Sequence, residues 1–298
     1  MIRARIIPER DVTEVRIGLS PLPSIAKLLS FMANRIDTTF THLREQDRKA
    51  FVAYVAGGDP NFDRSLEILH TLSDAGADII ELGIPFSDPM ADGIVNQLAA
   101  DRALKSGMSS HRIIDLIKAF RKTHDTPLVL FTYLNPVYAY GFEAFHNDAA
   151  AAGADGILLL DLPPSQAAVN PEFLHGKALH HIHLIAPTTP TARRQSLAES
   201  SQGFIYALSR TGVTGTHSAP SESIATQVAE IREITKTPIC VGFGITTPEQ
   251  AAQVAGYADG VIVGSAIVRK IQENANDPNV AQKLREFVTP LIEATHAV

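Results

Sequence analysis

Short apolar segments alternate along the chain with stretches in which apolar residues recur every three or four positions. An apolar run of four to eight residues between turn signals is typical of a buried strand, and a recurrence of three to four positions indicates an amphipathic helix. The apolar segments are FVAYVAGGDP (51–60), DIIELG (78–83), PLVLFTYLNP (127–136), DGILLLDLPP (155–164), HHIHLIAPTTP (180–190), GFIYALSRTG (203–212), TPICVGFGI (237–245) and DGVIVGSA (259–266). The pattern predicts eight strands, each followed by a helix.

The predicted strands are continuous apolar runs rather than alternations of apolar and polar residues. Such runs indicate strands that are covered on both faces, as in a parallel sheet. Eight strand–helix units predict an α/β fold of the (β/α)8 barrel (TIM barrel) type, whose usual length of about 250 residues fits the chain after its N-terminal segment. The related stretches AGADIIEL, AGADGILLL and GYADGVIV, each with an Asp before a strand, support a repeated unit. A doubly wound open sheet is the alternative.

One more helix is predicted before the first strand. In the stretch from Asn34 to Lys49, the apolar residues Ile36, Phe40 and Leu43 recur at i, i+4 and i+7, which places them on one helical face. We therefore expect a single (β/α)8 barrel catalytic domain over residues 34–298, with this extra N-terminal helix. Residues 1–33 are predicted to be an N-terminal extension, and the sequence does not indicate its role.

Composition and charge exclude several classes of function. The 26 basic and 32 acidic residues give a net charge of −6, and no basic stripe argues for a nucleic-acid partner. Cys240 is the only cysteine, which excludes an intramolecular disulfide and fits a reducing compartment. No apolar run approaches the roughly 18 residues that a membrane span needs, and Glu9, Asp11 and Glu14 argue against a signal or transit peptide. We therefore expect a cytoplasmic protein.

The stretch ELGIPFSDPMADG (81–93) carries the most promising acid–base candidates. Glu81 stands inside an apolar strand, where a buried carboxylate is costly without a partner or a task. Burial would raise its pKa and suit it to acid–base catalysis, whereas an ion pair with Lys or Arg is the structural alternative. Asp92 follows in the adjoining loop, and two carboxylates in different surroundings can hold different protonation states. Asp88 is a second loop carboxylate, but Asp before Pro more often forms a turn through its side chain.

Glycine-rich segments close the last three predicted strands. They are TGVTG (211–215), GFGI (242–245) and GSAIV (264–268). In a (β/α)8 barrel the active site lies at the carboxyl ends of the strands, and the last loops with a short helix N-terminus often bind phosphate. Glycines let backbone N–H groups approach an anion, and a helix after Gly264 and Ser265 would add its positive end. The sequence thus predicts a phosphate site, and glycines that serve tight turns are the alternative.

Other chemical signatures are weak. His180, His181 and His183 suggest a metal site, yet His180 and His181 would point to opposite faces of a strand, with no Cys or acidic residue to complete a ligand set. No G-x-S-x-G motif or P-loop occurs, so hydrolase and nucleotide-triphosphatase functions lack their signatures.

Taken together, these segments resemble the α subunit of tryptophan synthase. The stretches AGGDP, ELGIPFSDPMADG, TYLNPVYAYG, DGILLLDLPP, LSRTGVTG, GFGI and GSAIV are similar to that family's signatures and occur in the family's order. The resemblance extends from about Asn34 to the C-terminus. It implies a lyase of tryptophan biosynthesis that cleaves indole-3-glycerol phosphate to indole and glyceraldehyde 3-phosphate in a retro-aldol reaction.

The resemblance also implies roles for individual residues. Glu81 would protonate indole C3 and then take the proton of the glyceryl hydroxyl, and Asp92 would stay ionised and accept from the indole N–H. Thr214 would close over the site and orient Asp92, and Tyr206 would lie near Glu81. The remaining substrate-binding residues would be Gly215, Gly244, Gly264 and Ser265 around the phosphate and Phe243, Tyr54 and Tyr133 around the indole ring.

A partner is a further implication of the resemblance. The family's α subunit pairs with a β subunit in an α2β2 heterotetramer, in which the β subunit carries pyridoxal phosphate and the α subunit holds neither cofactor nor metal. Asn135, Pro136 and the loop at 85–93 would face that partner. A free-standing indole-releasing lyase and a catalytically weak, allosteric α-like subunit are the alternatives.

Two positions depart from the family pattern after the ADG triplet. Ile94 stands where the family has Pro, which leaves the stiffness of the loop in question. Asn96 stands where the family has an apolar residue, and it would bring a polar group to the indole pocket.

Overall fold

Parallel strands form a barrel in the part of the chain that the computed structural model describes, namely residues 34–163, 166, 179–208, 222–242 and 244–298. The strands are β1 (Ala50–Ala56), β2 (Ile79–Gly83), β3 (Leu128–Thr132), β4 (Gly156–Leu159), β5 (His180–His181), β6 (His183–Ile185), β7 (Ile205–Leu208), β8 (Ile239–Gly242) and β9 (Gly260–Val263). Their order in the sheet is β5-β4-β3-β2-β1-β9-β8-β7-β6, and every pairing is parallel.

The two ends of this sheet are halves of one barrel strand. Only Ile182 separates β5 from β6, and its N–H donates to the carbonyl of Ile157 at 2.9 Å. The first half pairs with β4 and the second with β7, so the sheet closes on itself. The predicted (β/α)8 barrel is therefore confirmed, with the fifth predicted strand divided in two.

Helices surround the barrel. They are α1 (Arg35–Glu45), α2 (Phe62–Asp74), α3 (Ile94–Lys105), α4 (Ser110–Phe120), α5 (Leu134–Tyr140), α6 (Phe142–Ala152), α7 (Thr191–Ser200), α8 (Glu222–Ile234), α9 (Pro248–Ala255), α10 (Ser265–Glu273) and α11 (Val280–His296). Within the described ranges, no helix is long and apolar enough to cross a membrane.

Helix α1 has the buried apolar face that the spacing of its residues predicted, and it closes the amino end of the barrel. Ile36, Phe40 and Leu43 are buried, and the rings of Phe40 and Phe204 are 6.1 Å apart. These residues form one buried cluster with inward-facing side chains, among them Ala50, Val52, Ile79, Val129, Leu158, Ile182, Cys240 and Ile262. Because this end is filled with apolar side chains, the carboxyl end is left for a site.

The repeated Asp before a strand has a structural role. In each case its carboxylate accepts from the N–H of the first or second residue of the neighbouring strand at 2.7–2.8 Å, and its own N–H donates to that residue's carbonyl at 2.8–3.0 Å. The pairs are Asp78 with Phe51, Asp155 with Leu128 and Asp259 with Ile239. The sequence repeat thus marks the start of parallel pairing between neighbouring strands.

One predicted strand is too long. The segment 127–136 leaves strand conformation after Thr132, and α5 begins at Leu134. Pro136 lies in the first turn of α5, where a missing N–H is tolerated, and the Leu134 N–H donates to the Asp161 carboxylate at 2.6 Å. Asp161, which follows β4, therefore stabilises the start of a helix.

Some predictions fall outside the described residues. These are the extension at 1–33, most of the predicted helix after β4, and the loop that contains Thr214 and Gly215. The boundary between the extension and the barrel stays a prediction.

Candidate active site

Glu81 lies at the carboxyl half of β2, inside the barrel. It is in register with Tyr54 of β1 and with Val129 of β3. The alternation of side chains along a strand places Ile79 and Glu81 on the same inward face, with Ile79 in the apolar cluster below. The barrel therefore holds Glu81 just above its apolar core.

The environment of Glu81 favours its neutral form. The side chain is fully buried, and neither carboxyl oxygen has a hydrogen-bond partner among the described residues. Burial raises the pKa of Glu81 to about 8, because the charged form is poorly solvated there. The ion pair with Lys or Arg that was the structural alternative does not occur within the described ranges. Glu81 is therefore a carboxyl that can release or accept a proton near neutral pH.

Asp92 lies in a different setting, in the loop between β2 and α3. The Tyr133 hydroxyl donates to its Oδ2 at 2.8 Å, and Asn96 Nδ2 lies 3.5 Å from its Oδ1. Burial raises the pKa of Asp92, while the hydrogen bonds from Tyr133 and Asn96 act to lower it. Among the described residues Glu81 thus has no hydrogen-bond partner and Asp92 has two, and this difference sets the two carboxyl groups apart chemically.

The loop itself is held by its neighbours. The Ala91 N–H donates to the Tyr133 hydroxyl at 2.9 Å, and Gln97 Nε2 donates to the Asp92 carbonyl at 2.8 Å. Helix α3 begins at Ile94, directly after Gly93. Asp88, the alternative carboxylate, is exposed in the same loop.

Two tyrosines flank the carboxyl groups. Burial, and then the charges of Asp92 and Glu81, raise the pKa of Tyr54. The pKa of Tyr206 is raised by burial, then by Glu81 and Asp92. Glycines make room for both rings: a Cβ on Gly83 would lie 2.6 Å from the Tyr54 hydroxyl, and a Cβ on Gly242 would lie 2.5 Å from the Tyr206 hydroxyl. Both phenols therefore stay protonated and close to the acid–base pair.

A cavity opens beside Asp92 at the carboxyl end of the barrel. Apart from tyrosine hydroxyls, Asp92 and Asn96 are the polar side chains in the described lining. The lining consists of Tyr54, Ala56, Gly83, Ile84, Pro85, Phe86, Pro89, Asp92, Asn96, Ala100, Phe131 and Tyr133. A mostly apolar and aromatic wall with one carboxylate suits a flat heteroaromatic ring that carries an N–H.

The glycines at the ends of β8 and β9 leave backbone accessible. Gly244 has a φ of +74°, and a Cβ built there would have nothing within 4 Å. Gly264 precedes α10, whose N-terminus has no side-chain cap, and Ser265 is half-buried. Free N–H groups at a helix N-terminus favour an anion. Phe243, Thr214 and Gly215 lie outside the described residues.

Several residues near the cavity were not predicted from the sequence. Phe131 packs edge-on against Tyr54, with ring centroids 5.1 Å apart, and Phe86 lies 5.4 Å from the Tyr133 ring. Phe131 lies two positions after the inward-facing Val129 and two before Tyr133, so the alternation along β3 predicts that its side chain faces inward. Nothing in the sequence predicts the contact of Gln97 with the Asp92 backbone.

A parallel (β/α)8 barrel with two carboxyl groups in different surroundings toward the carboxyl ends of its strands has the features of an acid–base enzyme of the TIM-barrel class. The family model for "Tryptophan synthase alpha chain" matches residues 40–296. A tryptophan synthase alpha chain from Marinobacter nauticus is 46% identical over 88% of this chain and 97% of its own length. The one from Desulfatibacillum aliphaticivorans is 44% identical over 87% of this chain and 98% of its own length.

Solved structures agree. Tryptophan synthase subunit alpha from Legionella pneumophila has a TM-score of 0.81 at 37% identity and covers 89% of this chain and 100% of its own. A chain of Mycobacterium tuberculosis tryptophan synthase has a TM-score of 0.79 at 35% identity, with 89% and 99% covered. The chain belongs to the tryptophan synthase alpha chain family, the lyases of tryptophan biosynthesis that cleave indole-3-glycerol phosphate and pass indole to a β subunit.

Proposed function

We propose that Glu81 and Asp92 divide the acid–base work of this cleavage between them. The observation that carries the proposal is the buried Glu81 carboxyl, which has no hydrogen-bond partner in the described part of the chain and whose pKa is raised to about 8. A neutral carboxyl can donate its proton to indole C3 at physiological pH, and the carboxylate that results can take the glyceryl hydroxyl proton as the C–C bond breaks. One residue then serves as acid and base in turn.

Asp92 stabilises the charge that this protonation creates. Adding a proton at C3 places positive charge on the indole nitrogen, and a carboxylate that accepts the N–H stabilises that charge in the transition state. The hydrogen bonds from Tyr133 and Asn96 act to lower the pKa of Asp92 against the effect of burial. They also fix the direction in which its oxygens point.

The indole ring, the phosphate and the glyceryl group of the substrate would each contact other residues at the carboxyl end of the barrel. Tyr54 and Tyr133 line the apolar cavity and would contact the indole ring, with Phe243 proposed as a third wall. The phosphate would bind the backbone at Gly244, Gly264 and Ser265, together with Gly215, where α10 adds the positive end of its dipole. Tyr206 would lie over the glyceryl group beside Glu81, and Thr214 would cover the site.

Exposed apolar residues on the segments that follow the adjacent strands β2 and β3 support the proposed docking of a β subunit. Met90, Ile94 and Leu98 are spaced four positions apart through the loop and α3, and are 80%, 61% and 41% exposed. Tyr138 of α5 is 69% exposed. Exposed apolar groups beside a site mark a protein interface. We call these four residues the apolar patch.

The apolar patch changes one detail of the expected interface. Asn135 is exposed, but Pro136 is buried within α5 and is not available to a partner. The loop that carries Met90 also carries Asp92, so a partner that contacts the patch would contact the segment that positions the catalytic carboxylate.

The wider setting follows from the family. We propose an α2β2 heterotetramer in the cytoplasm, in which the β subunit carries pyridoxal phosphate and this chain functions without a cofactor. Intact Glu81 and Asp92 argue against a catalytically silent subunit, and the apolar patch argues against a free-standing lyase.

The proposal is tested by indole release from indole-3-glycerol phosphate, with and without β subunit. Glu81→Gln keeps the shape of the side chain but cannot transfer a proton, and we expect a loss of at least about 10²-fold in kcat. Asp101→Asn, which changes an exposed carboxylate of α3, is the control and should retain activity. Wild-type-like turnover by Glu81→Gln would refute the acid–base assignment.

A further inference from the structure

Asn96, whose side chain lines the cavity, holds a buried hydrogen-bond acceptor with no partner among the described residues. It lies in the first turn of α3 and lines the cavity with Asp92. Its Nδ2 is 3.5 Å from Asp92 Oδ1. Its Oδ1 is buried and has no hydrogen-bond partner among the described residues.

Asp92 determines which way the amide points. A carboxylate only accepts hydrogen bonds, so the amide must turn its NH₂ group toward Asp92. The opposite orientation would bring two acceptors together. The amide oxygen is therefore the group that is left facing away from Asp92.

The donors nearest to Asp92 are already engaged. The Tyr133 hydroxyl donates its one proton to Asp92 and accepts from Ala91. The Gln97 amide donates to the Asp92 carbonyl. A buried acceptor without a partner is unfavourable, so a donor from a bound molecule would satisfy the Asn96 oxygen.

The position of Asn96 indicates which part of a ligand this donor would occupy. If the proposed function holds, Asp92 accepts the ring N–H, and Asn96 lies on the nitrogen side of the indole ring. The unsubstituted ring has a single N–H, and its other edge atoms are C–H groups. A hydroxyl group on C7, the ring carbon next to the nitrogen-bearing junction, would supply a second donor on that side.

We propose that Asn96 is a specificity-determining residue that lets this chain bind and turn over indole rings that carry a hydroxyl group on the nitrogen side of the six-membered ring. The chain thus discriminates by a hydrogen bond at a position where its family carries an apolar side chain. A site that binds a hydroxyl through a buried acceptor discriminates against an analogue without it.

The test uses the reverse reaction, in which indole C3 adds to the aldehyde carbon of glyceraldehyde 3-phosphate, C3 loses its proton and the carbonyl oxygen gains one. The substrates are indole, 7-hydroxyindole and 7-methylindole, the last as a control of similar size without a donor. For the wild type we expect kcat/KM for 7-hydroxyindole to exceed that for 7-methylindole by about 10-fold or more.

The matched variant is Asn96→Leu, which has a similar shape and no acceptor. We expect the ratio of kcat/KM for 7-hydroxyindole to kcat/KM for 7-methylindole to fall about 10-fold or more. Because it is a ratio, it cancels any effect that loss of the Asn96 contact with Asp92 has on all the indoles alike. A ratio that is unchanged in Asn96→Leu overturns the inference. If the variant does not fold, equal dissociation constants of the wild type for 7-hydroxyindole and 7-methylindole overturn it instead.

Failure of the proposed function would look different. In that case the wild type would condense none of the three indoles, including indole, with glyceraldehyde 3-phosphate. Turnover of indole without any preference for the hydroxyl would leave the proposed function standing and remove only the role of Asn96.

Discussion

At the scale of single residues, the buried Glu81 carboxyl ties the stability of the barrel to pH. Its pKa rises from 4.5 to about 8 on folding, so between these values the folded chain binds a proton that the unfolded chain has released. Stability rises with pH only where the unfolded state binds more protons. The contribution of Glu81 therefore falls as pH rises through this window.

Glu81→Gln removes that dependence. We expect the variant to gain stability relative to the wild type by about 1.4 kcal/mol per pH unit inside the window, with a constant difference below and above it. Denaturant unfolding at pH values from 4 to 9 measures this. Glu143→Gln, at an exposed position of α6, controls for the substitution itself, and parallel curves for Glu81→Gln and the wild type would contradict the buried carboxyl.

A second residue-scale prediction concerns the Tyr133 hydroxyl. Its bond to Asp92 acts to lower the pKa of that carboxyl, so Tyr133→Phe should raise that pKa and move the acidic limb of the pH–rate profile to higher pH. A hydrogen bond to a charged group is worth about 1.5–3 kcal/mol, which corresponds to a 10- to 100-fold loss in kcat/KM. Tyr140→Phe removes a comparable bond to Asp148 on the surface and should leave both quantities unchanged.

The proposed acid–base pair, Glu81 and Asp92, is the part of the site that single residues in the sequence predict. Glu81 is conspicuous because a carboxylate in an apolar strand demands an explanation, and Asp92 follows it in the next loop. The hydrogen bonds of Asn96 and Gln97 to Asp92 could not be predicted, because they depend on how α3 is rotated after Gly93. The positive φ of Gly244 likewise depends on the path of the backbone after β8.

At the scale of elements, the Asp residues that precede β2, β4 and β9 allow a test of how parallel pairing between neighbouring strands begins. Asp155 is 3% exposed and binds Arg121, Arg35 and the Leu128 N–H, each at 2.8 Å. Asp155→Ala would remove the carboxylate that pairs with the buried Arg121 guanidinium. It would also remove the acceptor of the Leu128 N–H at the start of β3. We expect a loss of about 3–5 kcal/mol in the free energy of unfolding, measured by denaturant titration.

The control for this prediction is Asp125→Ala. Asp125 lies 3.9 Å from Arg35 and its side chain is 93% exposed, so its removal should change stability by less than about 0.5 kcal/mol. Equal effects of the two variants would mean that the buried network does not stabilise the pairing of β3 with β4.

Strand and helix positions follow from the sequence where burial sets the pattern. The α1 residues Ile36, Phe40 and Leu43 have a helical period because one face covers the barrel end, and that period is visible without coordinates. Helix α5 is short, and the apolar run of β3 continues into it, so nothing in the pattern separates the two. The division at Ile182 arises because one strand pairs with different neighbours along its length.

At the scale of the whole molecule, the apolar patch predicts how this chain meets its β subunit. Burying a large apolar side chain contributes about 1.5–3 kcal/mol, so a charge at Leu98 or Tyr138 should weaken the complex by 10-fold or more. We expect Leu98→Glu and Tyr138→Glu to raise the dissociation constant for the β subunit and reduce the stimulation of indole release. Turnover without a partner should be unchanged, since neither residue lines the cavity.

The matched control is Val298→Glu, which adds the same charge at another exposed apolar residue, 43% exposed, outside the patch. It should bind the β subunit as the wild type does. If Leu98→Glu and Tyr138→Glu bound equally well, the partner would have to dock elsewhere, and indole would have to leave the cavity by a route that does not pass the loop between β2 and α3. Because that loop carries Asp92 as well as Met90, contact with the patch would also offer the partner a direct means of adjusting the carboxylate that we propose binds the indole nitrogen.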